Sequence, residues 1–260
     1  MRDMSEFDAL FARLDDLCGV AERGEVAVSQ FLSPRELHFA SAHLGKRGAH
    51  FLCFGGYDGA ERQRIYLLPD YMDSVENARE ICDFGMTLGI SAIRITSGNY
   101  KKLSHRDFLG SALGLGIERS VLGDILVDED SSALMLCDAP IEEFLLMELL
   151  KVGNEKVKTA SVPLEGIKPP ERKFAAINDT VASPRVDCIV GALCSLSREK
   201  AKEAVLAGLI EVDFEAVERP DKVVSAPSLV SVRGYGRFRV VAASDLTKKG
   251  RYRLVAEKFL

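Results

Sequence analysis

"RVDCIVGALCSLSREKAKEAVLAGLIEVD", residues 185–213, is the stretch on which the reading of this chain turns. Ser183 and Pro184 stand just ahead of it and suit the opening of a helix over "RVDCIVGALC". Ser197 caps a second helix, "REKAKEAVLA", which Gly208 ends in a left-handed turn. "LIEVDF" then reads as a strand, and after a charged turn "SLVSVRGYGRFRVV" reads as another. Two short helices across a tight turn, followed by a small sheet, make a compact unit of about 60 residues. On the second helix Arg198 and Lys202 share a face, while Ala201, Ala204 and Val205 point inward. The amino end of that helix presents free backbone N–H groups and a positive dipole, which favour a phosphate.

Charge along the chain supports the same direction. The 260 residues carry a net charge of −5. From Val181 to Leu260, however, 14 Lys and Arg face 10 Asp and Glu, and from Leu229 onward the ratio is eight to two. A basic end on an acidic body suits a polyanion, because phosphate contacts need local rather than total positive charge. "SVRGYGRFRV", residues 231–240, concentrates this charge in a cationic ribbon. Gly234 and Gly236 within it let a backbone approach phosphates closely or let the strand kink. Tyr235 either stacks on a base or packs on its own sheet. The plainer reading of the ribbon is a solvated edge strand whose charge prevents unwanted pairing.

Upstream, residues 5–22 carry Phe7, Leu10, Phe11, Leu14 and Leu17 on one helical stripe. A second helix starts near Ser33-Pro34, and "HFLCFGGYDGAERQRIYLLP" reads as a hairpin turning through Gly55, Gly56 and Gly59. Residues 1–73 are thus expected to form a small N-terminal α/β unit. Residues 74–165 follow the order β-α-β-β-α-β: "AIRIT", "HRDFLGSALGLGI", "DILV", "ALMLC", "PIEEFLLMELLKVG" and "VKTASV". That order predicts a ferredoxin-like split motif, an α-β plait. Asp138 is expected to cap its second helix, and Ile141, Phe144, Leu145, Leu149 and Val152 to form one buried stripe. RNA-recognition modules of this topology stack bases on aromatics of the central strands, and neither "AIRIT" nor "ALMLC" has one. Residues 166–180, with "KPP", read as a linker. The C-terminal domain then spans 181–245, and 246–260 is a basic extension. The fold class expected is α+β.

Taken with their neighbours, these residues resemble a known domain. Arg185, Asp187, Ser197, Arg198, Ala207 and Gly208 fit the S4 RNA-binding domain, an αα-β hairpin unit. Val186 and Asp213 depart from its leucine and asparagine, and Asp213 weakens any contact inferred at that turn. "FLSPRELHFA", "FGGYDGAERQRIYLLP", "HRDFLGSALGLGIERSVLGDILV" and "SVRGYGRF" extend the resemblance, from about residue 5 to 255, to the YlmH-like proteins of Gram-positive bacteria and their photosynthetic relatives. The resemblance implies a non-enzymatic factor that binds structured rRNA or tRNA and associates with the large ribosomal subunit. It also implies a role in translation quality control on stalled peptidyl-tRNA complexes and a connection with cell division. The expected RNA contacts are Arg185, Ser197, Arg198, Lys200, Lys202, Arg233, Tyr235 and Arg237, with Ser197 donating a hydrogen bond or only capping. Arginines from the helix and from the ribbon are expected to flank one groove. No cofactor, metal or catalytic residue is expected.

Other motifs lead elsewhere less well. His105-Arg106-Asp107 resembles a kinase catalytic loop, but Ala112 stands where that loop needs Asn. Locally, Ser104 caps a helix with Asp107 reaching back, and His105 and Arg106 remain available to an RNA surface. Gly114 and Gly116 lack the third glycine of a dinucleotide loop, where Arg119 stands. His38, His43 and His50 lack metal-like spacing, and the six cysteines contain no C-x-x-C pair, so buried reduced thiols are expected. With no apolar leader and no run of about 20 apolar residues, a cytoplasmic protein without membrane insertion is expected; a monomer is expected as well. Two rivals stay open: an RNA-modifying enzyme, and a protein scaffold in cell division.

Overall fold

Local signals set most of the helix ends. In the computed structural model, which describes residues 7–98, 102–168, 174–243, 246–247 and 250–259, the chain divides into two compact units, Met1–Pro170 and Glu171–Leu260. The first unit begins with α1 (Asp8–Ala21), β1 (Ala27–Val28) and α2 (Pro34–Arg47). Ser33 and Glu36 close a reciprocal capping box at the start of α2, and Gly48 ends it in the left-handed region at φ 70°. β2 (Phe51–Phe54) and β3 (Arg64–Leu67) form the expected hairpin, and β1 pairs with the other edge of β3. Within the connection a side chain at Gly55 would place its Cβ 2.2 Å from the Arg62 carbonyl oxygen, so only glycine fits there.

Beyond two 3₁₀ turns come β4 (Ile90–Ser97), α3 (His105–Gly114), β5 (Leu122–Val127), β6 (Ala133–Asp138), α4 (Glu142–Glu148), β7 (Lys151–Val152) and β8 (Glu155–Val162). They build an antiparallel sheet of order β5-β6-β4-β8-β7. Side chains alternate across it. Ile93, Ile95 and Met135 meet Phe108 and Leu145 of the helices, while Ala92, Leu134 and Leu136 meet Phe31, Tyr66 and Met72 of the N-terminal part. Residues 1–73 and 74–165, read as separate domains, each keep a core of their own and meet in a third, shared cluster. The sheet face opposite the helices, which carries no aromatic ring on β4 or β6, is partly covered from within the unit. α4 is shorter than the sequence suggested and Phe144 is exposed. Asp138 makes no side-chain cap and instead lies 3.0 Å from Arg64 Nη1, because as the last residue of β6 it alternates onto the face of Leu134 and Leu136.

The second unit holds β9 (Phe174–Val181), α5 (Val186–Cys194), α6 (Arg198–Leu206), β10 (Ile210–Val212), β11 (Glu215–Ala216), β12 (Ser228–Val232), β13 (Gly236–Ala242) and β14 (Tyr252–Phe259). Its sheet is antiparallel, in the order β11-β10-β12-β13-β14-β9. Both helices pack on one face, where Ile189, Val190, Ala201 and Val205 meet Val230, Val232, Phe238, Val240 and Leu254. Four expectations are corrected here. Residues 174–180, read as linker, are part of strand β9, and the Pro169-Pro170 pair lies outside the described residues. Residues 252–259 of the supposed extension are β14, fully paired with β9. The ribbon is not one strand but two, because Gly234 (φ 87°) and Gly236 (φ 116°) reverse the chain through Arg233–Tyr235. "LIEVDF" likewise ends as a strand at Val212, where Asp213 and Phe214 take positive φ in a tight hairpin turn.

All six cysteines are free thiols. Cys18 and Cys137 are buried, and burial pushes the Cys137 thiol up to about 12, whereas Cys82 is exposed. Among the described residues no helix is long and apolar enough to cross a membrane.

Candidate nucleic-acid interface

The head of α6 is built by sequence that can do little else. Ser197 takes extended backbone angles and its hydroxyl accepts from the Lys200 amide at 3.4 Å, so it acts as a cap. The remaining N–H groups of the first turn face outward beside Arg198, the first residue of the helix. Arg198 lines a cleft of about 350 Å³ shared with Asp179, Thr180, Cys188, Leu196 and Arg251. Arg251 is held there by its Nε, which donates to Thr180 Oγ1 at 2.9 Å, and by a second bond to the Thr180 carbonyl. Lys200 and Lys202 are exposed on the same helix. Among the described residues Arg198, Lys200, Lys202 and Arg233 make no ion pair. Two guanidinium groups and a capped helix head thus line one opening, with the carboxylates of Asp179 and Asp187 at its wall, the latter paired with Arg185.

The other residues picked from the sequence do not line this opening, although Asp187, the partner of Arg185, does. Arg185 grips Asp187 with two bonds, Nε to Oδ1 at 3.1 Å and Nη2 to Oδ2 at 2.8 Å. Asp187 is 2% exposed and also accepts from the Cys188 amide, so this pair fixes the start of α5. The Asp187 hydrogen bonds raise the Arg185 pKa above its ordinary value. Arg233 and Tyr235 sit at the tip of the β12–β13 hairpin, where the Arg233 amide donates to the Leu209 carbonyl. That carbonyl follows the far end of α6, which over nine residues is about 13 Å from Arg198 along the axis. Arg237 alternates with buried Phe238 and so faces away from the helices. Helix and hairpin arginines therefore do not flank one groove, because the period of a strand sends Arg237 through to the opposite side of the sheet.

Arg251 escaped notice because its place beside Thr180 depends on strand pairing across 71 residues. The alternating "RYRLVAEKF" was the available signal. In the first unit, Asp107 reaches back to the Ser104 amide at 2.8 Å, the capping box read from the sequence. Desolvation, with Arg119 nearby, lowers the His105 pKa.

An α+β protein whose second unit presents an arginine-lined cleft at the head of a capped helix is the class that fold and site define. The chain belongs to the YlmH family. Residues 9–72 match the family model described as "YlmH, N-terminal", and residues 82–166 match the one described as "Putative RNA-binding domain in YlmH". Both matches lie within the first unit, and together they span more than half of the chain. A protein of Bacillus subtilis (strain 168) named "Ribosome-associated protein quality control protein P2" is 29% identical over 239 residues, covering 92% of this chain and 90% of its own length. The solved structure titled "Cell division protein ylmH from Streptococcus pneumoniae" aligns with 62% of this chain and 94% of its own, at 26% identity and a TM-score of 0.48.

Proposed function

We propose that this protein binds structured ribosomal or transfer RNA through its second unit and acts by binding rather than by catalysis. The observation that carries the reading is the convergence of Arg198 and Arg251 on the head of α6. Backbone N–H groups and guanidinium forks at one opening are complementary to phosphate. The S4-like reading of this unit is supported by the work its motif residues do: Arg185 and Asp187 pair, Ser197 caps, and Gly208 ends α6 at φ 67°. The ferredoxin-like reading of residues 74–165 is supported by a sheet in which the second, third, first and fourth strands of the β-α-β-β-α-β order lie side by side. The spending of Asp107 on a helix cap supports the non-enzymatic reading.

The name of the Bacillus relative, together with family membership, supports the ribosome as the place of action. The large subunit, a role in quality control, a cytoplasmic location and a monomeric state complete the proposal. A second reading, a protein scaffold linked to cell division, draws on the exposed row Phe144, Met147 and Leu150 on and after α4. Pull-down with and without nuclease separates the two: partners that survive RNA digestion favour the scaffold.

The direct test is a salt titration of rRNA or tRNA binding. With four or five phosphates neutralised, log K falls against log salt with a slope of about −3 to −5. A flat dependence, or no binding at low salt, overturns the reading. Arg185→Ala separates folding from contact. It leaves the buried Asp187 carboxylate without its cation, so the urea midpoint of the second unit falls while RNA affinity of the folded protein stays within about threefold. A larger affinity loss at unchanged stability would return Arg185 to the interface.

A further inference from the structure

The alternation that removes Arg237 from the helix side builds a second surface on the open side of the same sheet. Phe174 and Phe259 face each other across β9 and β14, with ring centroids 5.1 Å apart in an edge-to-face arrangement. The Arg239 guanidinium carbon lies 5.0 Å from the Phe174 centroid and 5.5 Å from that of Phe259, and Arg237 lies 5.8 Å from Phe259. Glu257, directly opposite Arg239, holds it at 3.5 Å. Arg253 and Asn178 alternate onto the same face, and Arg237, Arg239, Arg253 and Asn178 are all exposed. Phenylalanine has no polar tip, so two half-buried rings on the water side of a sheet need a reason. Three arginines against one glutamate make the surround cationic.

We propose that this face is a stacking platform for unpaired bases of single-stranded RNA, separate from the cleft at the head of α6. Ring and guanidinium planes supply stacking, the arginines attract the backbone, and Asn178 offers an amide to base edges. A duplex keeps its base faces inside and cannot use such a surface. The proposal rests on the reading that this unit binds RNA, so its test uses two probes.

A short single-stranded RNA carrying one 2-aminopurine and a hairpin RNA are each titrated with the parent chain and with Phe174→Leu plus Phe259→Leu, which keeps apolar volume and removes the rings. The expected result is quenching of 2-aminopurine by the parent and at least about a tenfold loss of single-strand affinity in the variant. Hairpin affinity and circular dichroism stay unchanged. As a second variant, Arg237→Gln plus Arg239→Gln is expected to weaken the single strand more than the hairpin. Equal single-strand binding by parent and double-leucine variant overturns the platform, as does a parallel loss for both probes. A parent that binds only the hairpin sinks the platform alone, whereas one that binds neither sinks the proposed function with it.

Discussion

Arg198→Glu combined with Lys202→Glu is expected to lower affinity for structured RNA by roughly 10- to 100-fold at low salt and to flatten the salt slope by about 2. The two residues stand one helical turn apart, so they meet successive phosphates from one face. Reversal removes two cations and adds two anions beside the exposed amides of the helix head, where negative charge from a ligand is otherwise favoured. Neither side chain has an ion-pair partner among the described residues, so folding is affected little. Lys46→Glu, exposed near the end of α2, provides a charge-change control and is expected to leave the slope as it was. Filter binding over a salt series reads the result. A slope unchanged in the double variant would take the α6 head out of the interface.

The other large effect concerns stability. Asp124 is buried on β5 and accepts from the Tyr57 hydroxyl at 2.6 Å, the Glu61 amide at 2.7 Å and the Arg62 amide at 3.0 Å. It thereby ties the β2–β3 connection to the five-stranded sheet. Arg62 and Arg119 lie in the same region, donating to the carbonyls of Phe31, Leu122 and Gly123. Burial, then the charge of Arg62, pushes the Arg119 guanidinium down to about 10, and Asp124 opposes that shift. Asp124→Ala removes one acceptor group from three donors and the anion that offsets two desolvated cations, so a loss of about 3–5 kcal/mol is expected. Asp124→Asn keeps the shape without the charge and should fall between. Hydrogen exchange of residues 51–67 in a urea series reports the change, and a loss below about 1 kcal/mol would contradict it.

What was legible in advance was local. Ser33, Ser104 and Ser197 cap helices because a hydroxyl three residues before a free amide meets it whatever the rest of the chain does. Gly48 and Gly208 end helices because they accept positive φ without strain. Strands β4, β5, β6 and β8 were visible as short apolar or alternating runs. The errors share a different cause. "FAAINDTV" was hidden beside two prolines, and "YRLVAEKF" looked like a basic tail, because each is a strand only in the presence of the other. Phe144 was placed on a buried stripe, but α4 turns Leu145 inward and leaves Phe144 exposed, and it ends at Glu148, where the backbone turns into β7.

The candidate site divides in the same way. The sequence alone determined the capped head of α6, the spacing of Arg198 and Lys202, and the α+β class, since each follows from interactions within one or two turns of chain. Tertiary structure decided which cations meet. It placed Arg251 and Arg198 on the walls of one cleft, sent Arg237 to the other side of the sheet, and packed part of residues 1–73 against the central sheet. Strand pairing over many residues costs loop entropy that no local pattern records, and a two-residue period commits each side chain to a face only once the pairing exists.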